Sequence, residues 1–180
     1  MDFFLFQILP YIALAVFVLG SVLRFDRDPY SWRAKSSQLL RRRQLVIGSV
    51  LFRVGILIIL IGHAVGLLTP VVLFEMIGIS HAAKQMMAII VGGGAGGLCF
   101  IGLVLLLHRR LFDPRVRATS SFGDIAILIL LLAQLCLGMY SITESLQHPD
   151  GHEMLKFMGW AQYIVTFRGD AHLFLADVAL

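Results

Sequence analysis

The sequence predicts an all-α fold, an integral membrane helical bundle with four complete transmembrane helices plus the start of a fifth. Of the 180 residues, 58% are hydrophobic and only 14% are charged, against about 45–50% and about 25% in an ordinary soluble domain. The mean hydropathy is +0.86, and the charges lie in blocks between long apolar runs. The composition therefore argues against a soluble monomer. It also argues against a nucleic-acid partner in spite of the net charge of +4, because the basic residues do not form one polar face.

Four apolar runs reach the length of a transmembrane helix, about 20 residues at about 1.5 Å each. The first run contains Gln7 and Pro10, and the second contains Arg53 and His63. No basic residue precedes the first run, which is therefore predicted to be a retained span and not a signal peptide. The four predicted spans are Phe3–Leu23, Leu45–Leu68, Met86–Leu107 and Ile125–Ile142.

A fifth apolar stretch begins near Leu173 and still continues at Leu180, where the sequence stops. Because so short a stretch cannot cross a bilayer, we expect the chain to be truncated at its C-terminus inside a fifth helix. Before it, Glu153–Phe167 has helical apolar spacing and is expected to lie along the membrane surface, with Trp160 and Tyr163 at headgroup depth. With no linker or internal repeat, residues 1–180 are expected to form a single membrane domain.

The basic residues predict how the chain is oriented in the membrane. The two loops that follow the first and third spans hold eleven lysines and arginines, whereas the opposite side holds three. Positively charged loops remain on the cytoplasmic side. We therefore expect a multi-pass protein of a bacterial or archaeal cell membrane, with its N-terminus outside, its basic loops in the cytoplasm and lipid around its spans.

His63 is the most informative residue of the spans, because an ionisable side chain inside a bilayer is costly and usually functional. Gly62 and Gly66 flank it, and their small size leaves room for a porphyrin ring against the helix. Imidazole is the usual axial ligand of a b-type haem, which needs no covalent attachment. Two interpretations remain open from the residue itself, namely haem ligation and a hydrogen-bonded structural histidine.

Two cations accompany this histidine. Arg53 lies ten residues before His63, about 15 Å nearer the cytoplasm, and a guanidinium has no lone pair with which to bind iron. We expect Arg53 to extend toward the cytoplasmic interface or to pair with an anionic group. Lys84 begins the third span from the outer side, where it is either a hydrogen-bond donor to a quinone carbonyl or an interfacial anchor.

Two further features of the spans are predicted to serve packing. The glycine-rich run 92–97 lacks the strand and the lysine of a phosphate loop, so we expect close helix packing there, with a groove that faces a flat cofactor as the alternative. Cys99 and Cys136 lie in different spans without metal or haem-attachment spacing, and we expect both to pack as small apolar residues.

Many short motifs follow one another along nearly the whole chain. In chain order they are Leu23-Arg24-Phe25-Asp26, Tyr30, Trp32-Arg33-Ala34, Ser36-Ser37-Gln38, Leu51-Phe52, Gly55-Ile56-Leu57, Gly62-His63, Gly66, Leu68-Thr69-Pro70, Lys84-Gln85, Arg109-Arg110-Leu111, Pro114-Arg115-Val116-Arg117-Ala118-Thr119, Gly159-Trp160-Ala161-Gln162 and Val165-Thr166-Phe167. Together and in this order they make the chain resemble the gamma subunit of membrane-bound respiratory nitrate reductase, the cytochrome b that anchors that complex.

The resemblance implies a five-helix oxidoreductase subunit that holds two haems b, each between two histidines of the second and fifth helices. It implies that His63 is an axial ligand of the haem iron nearer the outer face, next to Gly62 and Gly66, and that Lys84 binds quinol. Quinol would be oxidised near the outer face. Electron transport would then run through haem to an iron–sulfur beta subunit and a molybdenum-containing alpha subunit, which reduces nitrate in anaerobic nitrate respiration.

The chain departs from this family pattern in two places. Arg53 stands where the family has its other second-helix histidine, and the sequence ends before the two ligands of the fifth helix. One of the four expected ligands is present, and the number of haems stays open. Two alternatives follow: a haem-deficient structural membrane anchor or paralogue, and a cytochrome b subunit of a different respiratory complex.

Overall fold

A computed structural model of the chain describes residues 2–28, 40–147 and 152–175. Within these ranges the regular elements are all helices, which confirms the all-α prediction. The α-helices are α1 (Leu9–Arg27), α2 (Arg42–Leu68), α3 (Val71–Met76), α4 (His81–Phe112), α5 (Pro114–Thr119), α6 (Phe122–Gln147) and α7 (His152–Val165). A π-helical segment, Phe4–Ile8, leads directly into α1, and a 3-10 turn, Ala171–Phe174, follows α7.

Four helices of the described chain are long and apolar enough to cross a bilayer, which confirms the predicted number of complete spans. They are Phe4–Arg27, α2, α4 and α6. Each is longer than its predicted run, because polar residues at the ends continue the helical hydrogen bonding. The extension is largest in α4, whose 32 residues give a length of about 48 Å.

The other predictions of local structure have separate outcomes. Helix α7 lies where helical apolar spacing was recognised in Glu153–Phe167, although its expected place on the membrane surface stays a prediction. In the fifth apolar stretch, Leu173 and Phe174 belong to the 3-10 turn. Leu175 ends this turn. Residues 176–180 lie outside the described residues, as do the motifs between Tyr30 and Gln38.

The described residues form two compact units, which the chain enters alternately. The first unit contains α1, the last turn of α2 with α3, and α7 with the turn after it. Side chains hydrogen-bonded to backbone carbonyl oxygens join these elements. Trp160 Nε1 donates to Phe6 O at 2.7 Å, and the Tyr11 hydroxyl donates to Ile164 O at 3.1 Å. Helix α7 is therefore fixed to the N-terminal end of the first span.

The C-terminal end of α2 is capped from α7 within this first unit. A helix ends with carbonyl groups that have no partner of their own, and Pro70, two residues after the end of α2, has no N–H to donate. The side chain of Gln162 supplies the donor instead, because its Nε2 lies 3.1 Å from Leu67 O and 3.2 Å from Thr69 O.

Replacing Gln162 with leucine is expected to lower the free energy of unfolding by about 1–3 kcal/mol, because two carbonyl groups lose their donor. Thermal and chemical denaturation of the purified protein in detergent would measure the loss. Gln147→Leu is the matched control, since Gln147 is an exposed residue at the end of α6. Equal stability of the Gln162 and Gln147 variants would show that the cap contributes nothing.

The second unit contains α2 as far as His63, together with α4, α5 and α6. Helices α2 and α4 approach closely at two glycines. A Cβ atom added to Gly55 would lie 2.7 Å from Ala95 O and 2.7 Å from Cys99 N, and one added to Gly102 would lie 2.5 Å from Phe52 N. The two backbones are therefore in direct contact, and no side chain larger than hydrogen fits between them.

The glycine-rich run 92–97 packs closely against other helices at some of its positions and not at others. A Cβ atom at Gly96 would collide with the Met139 side chain of α6, which agrees with the prediction. At Gly93 the nearest atom would be Ile142 Cδ1 at 3.7 Å, an ordinary contact. Gly92, Gly94 and Gly97 have no described atom within 4 Å of that position. The run also takes part in the tight contact between α2 and α4, because the backbone of Ala95 meets Gly55.

Polar contacts order the end of this unit where α2 begins and α4 is followed by α5. Arg109 is only 2% exposed, and its Nη2 donates to Leu40 O at 2.8 Å. Arg41 pairs with Asp113 at 2.9 Å, and Asp113 also caps α5 by accepting from the backbone N–H of Arg115 at 2.9 Å. These contacts fix the start of α2 to the end of α4.

Candidate functional site

His63 lies in the next-to-last turn of α2, and its side chain is exposed. Its Nδ1 lies 2.8 Å from the carbonyl oxygen of Ile59, one turn earlier in the same helix. A carbonyl oxygen only accepts hydrogen bonds, so Nδ1 carries the proton in this contact. The neutral ring then has its lone pair on Nε2, which is the form that binds a metal ion.

Gly62 and Gly66 leave the helix surface near this imidazole open. At neither position would an added Cβ atom meet any described atom within 4 Å. Both glycines have φ in the helical region, so backbone conformation does not demand them. What glycine provides here is helix surface without side chains, next to an exposed imidazole. A flat ligand that is held by the metal at its centre fits such a surface.

Arg53 is on the same helix but does not belong to this arrangement. Ten residues separate it from His63, which in a helix corresponds to about 15 Å along the axis and about 80° around it. Arg53 is exposed, and the ion pairs found in the described ranges do not include it. It is therefore a charge within a span whose counter-ion is not among the described residues.

Lys84 and Gln85 lie one turn into α4 and are unusually well buried for polar residues. Lys84 is 9% exposed and Gln85 is 7% exposed. Gln85 Nε2 donates to Ser145 O of α6 at 2.7 Å, so it joins the N-terminal end of α4 to α6. The sequence alone did not indicate this role for Gln85. The signal available in the sequence was a polar amide side chain at the start of a span.

Two other histidines of the described ranges make contacts away from His63. His172 lies in the 3-10 turn, where its ring packs edge-on against Phe3 at 5.0 Å and its backbone N–H donates to Gln7 Oε1 at 3.2 Å. His108 Nδ1 lies 3.2 Å from Gln44 Nε2 at the opposite end of α4 from Lys84. No group of three or more histidine, cysteine or acidic side chains suited to a metal ion occurs in the described residues.

Comparison with known proteins gives consistent results over almost the entire chain. The family model described as nitrate reductase gamma subunit matches residues 2–180. The chain is 52% identical to the respiratory nitrate reductase 1 gamma chain of Escherichia coli (strain K12), over 99% of this chain and 79% of that protein. It is 50% identical to the respiratory nitrate reductase 2 gamma chain of the same strain, with the same coverage. It is 41% identical to the nitrate reductase gamma chain of Bacillus subtilis (strain 168), over 94% of this chain and 76% of that protein.

Proposed function

The chain belongs to the nitrate reductase gamma subunit family, and on this premise we propose that it is the membrane-anchoring b-type cytochrome subunit of a quinol:nitrate oxidoreductase. In this role it oxidises quinol and delivers the electrons to an iron–sulfur beta subunit and a molybdenum-containing alpha subunit. Nitrate reduction belongs to the latter. The proposal includes a single membrane domain over residues 1–180, with the N-terminus outside and both basic loops in the cytoplasm.

The hydrogen bond of His63 Nδ1 is the observation that supports a haem in this chain. The Nδ1–H to Ile59 O hydrogen bond of 2.8 Å leaves the Nε2 lone pair available as an axial ligand. The bare helix at Gly62 and Gly66 accommodates a flat ring. When bound, haem would supply a one-electron carrier between quinol and the soluble subunits. His63 would hold its iron, and the two glycines would contact the macrocycle.

The number of haems in the proposal follows from the side chains available. Arg53 has no lone pair and does not ligate iron, so α2 supplies one axial ligand. We assign no second ligand for a haem at His63 among the described residues. We therefore propose one haem site that involves His63, and we assign none to Arg53.

Lys84 is the residue to which we assign quinol binding. Oxidation of a quinol to a quinone releases two electrons and two protons. The ammonium group of Lys84 would donate a hydrogen bond to a quinol oxygen and would stabilise the negative charge that forms on it when its proton leaves. Burial of Lys84 to 9% exposure would strengthen this interaction, because less water screens it.

An absorption spectrum of the reduced, purified protein tests the proposal directly. A b-type haem band, and its appearance when a quinol is added to the oxidised protein, are the expected results. Absence of the band would overturn the proposal and would favour a haem-deficient structural anchor, the alternative to which the exposed Arg53 points. A haem band with no association with nitrate reductase subunits would favour a cytochrome b of a different respiratory complex.

Replacing Lys84 with methionine is expected to slow quinol-dependent haem reduction by about 10- to 100-fold, the effect of losing one charge-assisted hydrogen bond. The haem spectrum is expected to remain, since Lys84 does not contact iron in this proposal. Stopped-flow absorbance would measure the rate. Lys156→Met in α7 is the matched control and should leave the rate unchanged. A Lys84 variant as fast as this control would remove Lys84 from the quinol site.

A further inference from the structure

A cleft of about 500 Å³ opens in the first unit between the N-terminal end of the first span and the turn that follows α7. Gln7, Tyr11, Phe167, Arg168 and Gly169 line it. It involves none of the residues assigned to haem or quinol. Its walls are the first two helical turns of a span on one side and the connection from α7 to the 3-10 turn on the other.

The polar side chains of this cleft are already engaged, with one exception. Gln7 Nε2 donates to Arg168 O at 3.3 Å, and Gln7 Oε1 accepts from the backbone N–H of His172. The Tyr11 hydroxyl donates to Ile164 O, and its ring stacks on Phe167 with centroids 5.7 Å apart and planes at 15°. These contacts make the walls rigid and leave them mostly aromatic toward the opening.

Arg168 is the exception. Its guanidinium carbon lies 5.4 Å from the centre of the Tyr163 ring, a cation–π contact. The side chain is exposed, and the ion pairs found in the described part of the chain do not include it. Asp170 is two residues away but is not among those pairs either. Arg168 therefore adds a positive charge to a cleft that is also lined by the stacked rings of Tyr11 and Phe167.

The position of the cleft along the span indicates what it contacts. Phe4–Arg27 has 24 residues, a length of about 36 Å, against about 30 Å for the hydrocarbon core of a bilayer. Its ends therefore extend into the headgroup layer. Gln7 lies about 5 Å from the start of this helix, at the depth where lipid phosphates meet the first acyl carbons.

We propose that this cleft binds an anionic phospholipid, with the Arg168 guanidinium on the phosphate and the Tyr11 and Phe167 rings against the glycerol and the first part of an acyl chain. Charge complementarity selects an anionic headgroup over a zwitterionic one, in which the phosphate already has its own counter-ion. The aromatic wall selects a lipid over a soluble phosphate, because such a wall adds affinity only for a ligand with apolar surface.

Quenching of Trp160 fluorescence by brominated lipids tests this proposal. Trp160 is suitable because its Nε1 donates to Phe6 O, next to Gln7, and bromine quenches only at close range. The second of the two tryptophans, Trp32, is replaced by phenylalanine so that one signal remains. The protein is placed in phosphatidylcholine vesicles that contain a small fraction of brominated phosphatidylglycerol or brominated phosphatidylcholine.

Half-maximal quenching is expected at a mole fraction of brominated phosphatidylglycerol about fivefold lower than that of brominated phosphatidylcholine, the ratio for one arginine at a bilayer surface. Arg168→Ala should abolish the preference and Arg168→Lys should retain most of it. Arg168→Gln replaces the alanine variant if that one does not fold. Arg27→Ala is the matched control, because Arg27 is an exposed arginine at the other end of α1, and it should retain the preference.

Three results would each overturn the proposal. One is equal quenching by the two lipids in the chain with native Arg168. Another is a preference for phosphatidylglycerol that persists in Arg168→Ala or is lost equally in Arg27→Ala, since either would indicate a general charge effect. The third is release of the brominated lipid by soluble glycerol phosphate, which would identify the ligand as a free phosphate compound.

Discussion

Replacing His63 with alanine is expected to abolish the b-type haem absorbance of the purified protein. The alanine side chain has no donor atom for iron, and no other histidine of α2 takes its place. With the haem at this position lost, quinol-dependent electron delivery should fall to the background rate. Reduced-minus-oxidised spectra and a haem-to-protein ratio would measure the effect.

Two companion variants separate ligation from a structural role. His81→Ala is the matched control, because His81 lies at the start of α4 and its closest charged partner is Glu75 at 3.9 Å. It should keep the full haem signal. His63→Gly should regain haem absorbance when free imidazole is added, since the small molecule supplies the missing ligand. A His63→Ala protein with an unchanged haem spectrum would contradict the assignment.

The largest effect on stability is expected from Gly55→Ala. The added methyl group would lie 2.7 Å from Ala95 O and 2.7 Å from Cys99 N, both backbone atoms of a helix and therefore unable to move out of the way as a side chain does. Helices α2 and α4 would have to separate. We expect a loss of about 3 kcal/mol in the free energy of unfolding, and a correspondingly lower yield of folded protein.

Gly97→Ala is the control for this change, because Gly97 is in α4 and has no described atom within 4 Å of an added Cβ. Alanine is a better helix former than glycine, so this variant should be as stable as the native chain or slightly more stable. Thermal denaturation in detergent measures both variants. If Gly55→Ala and Gly97→Ala had the same melting temperature, the backbone contact between α2 and α4 would be disproved.

The long helices could be predicted because their cause is local. A run of about 20 apolar residues has few alternatives to a spanning helix, since every backbone group in a bilayer must find its partner within the segment. Helix α7 could also be predicted from a local pattern, because its apolar residues recur at helical spacing. His63 also stood out locally, as an ionisable residue inside such a run.

Contacts between distant residues could not be predicted in this way. Gly55 is an ordinary member of an apolar run, and only the approach of α4 shows that it allows no side chain. Gln162 lies 95 residues from Leu67, whose carbonyl oxygen it caps. The proton on His63 Nδ1 likewise depends on the rotamer that brings the ring to Ile59 O. In each case the partner is chosen by packing and not by sequence spacing.

The contact of α2 with α4 has a consequence for how this chain can change during evolution. The atoms that meet at Gly55 and Gly102 are mostly backbone atoms, which every amino acid has. Rotation of α2, and with it the direction of the His63 ring, is therefore held by two small positions. The many exposed apolar residues of both helices can be replaced by other apolar residues as the membrane lipids differ. The direction of the His63 ring is retained through these replacements.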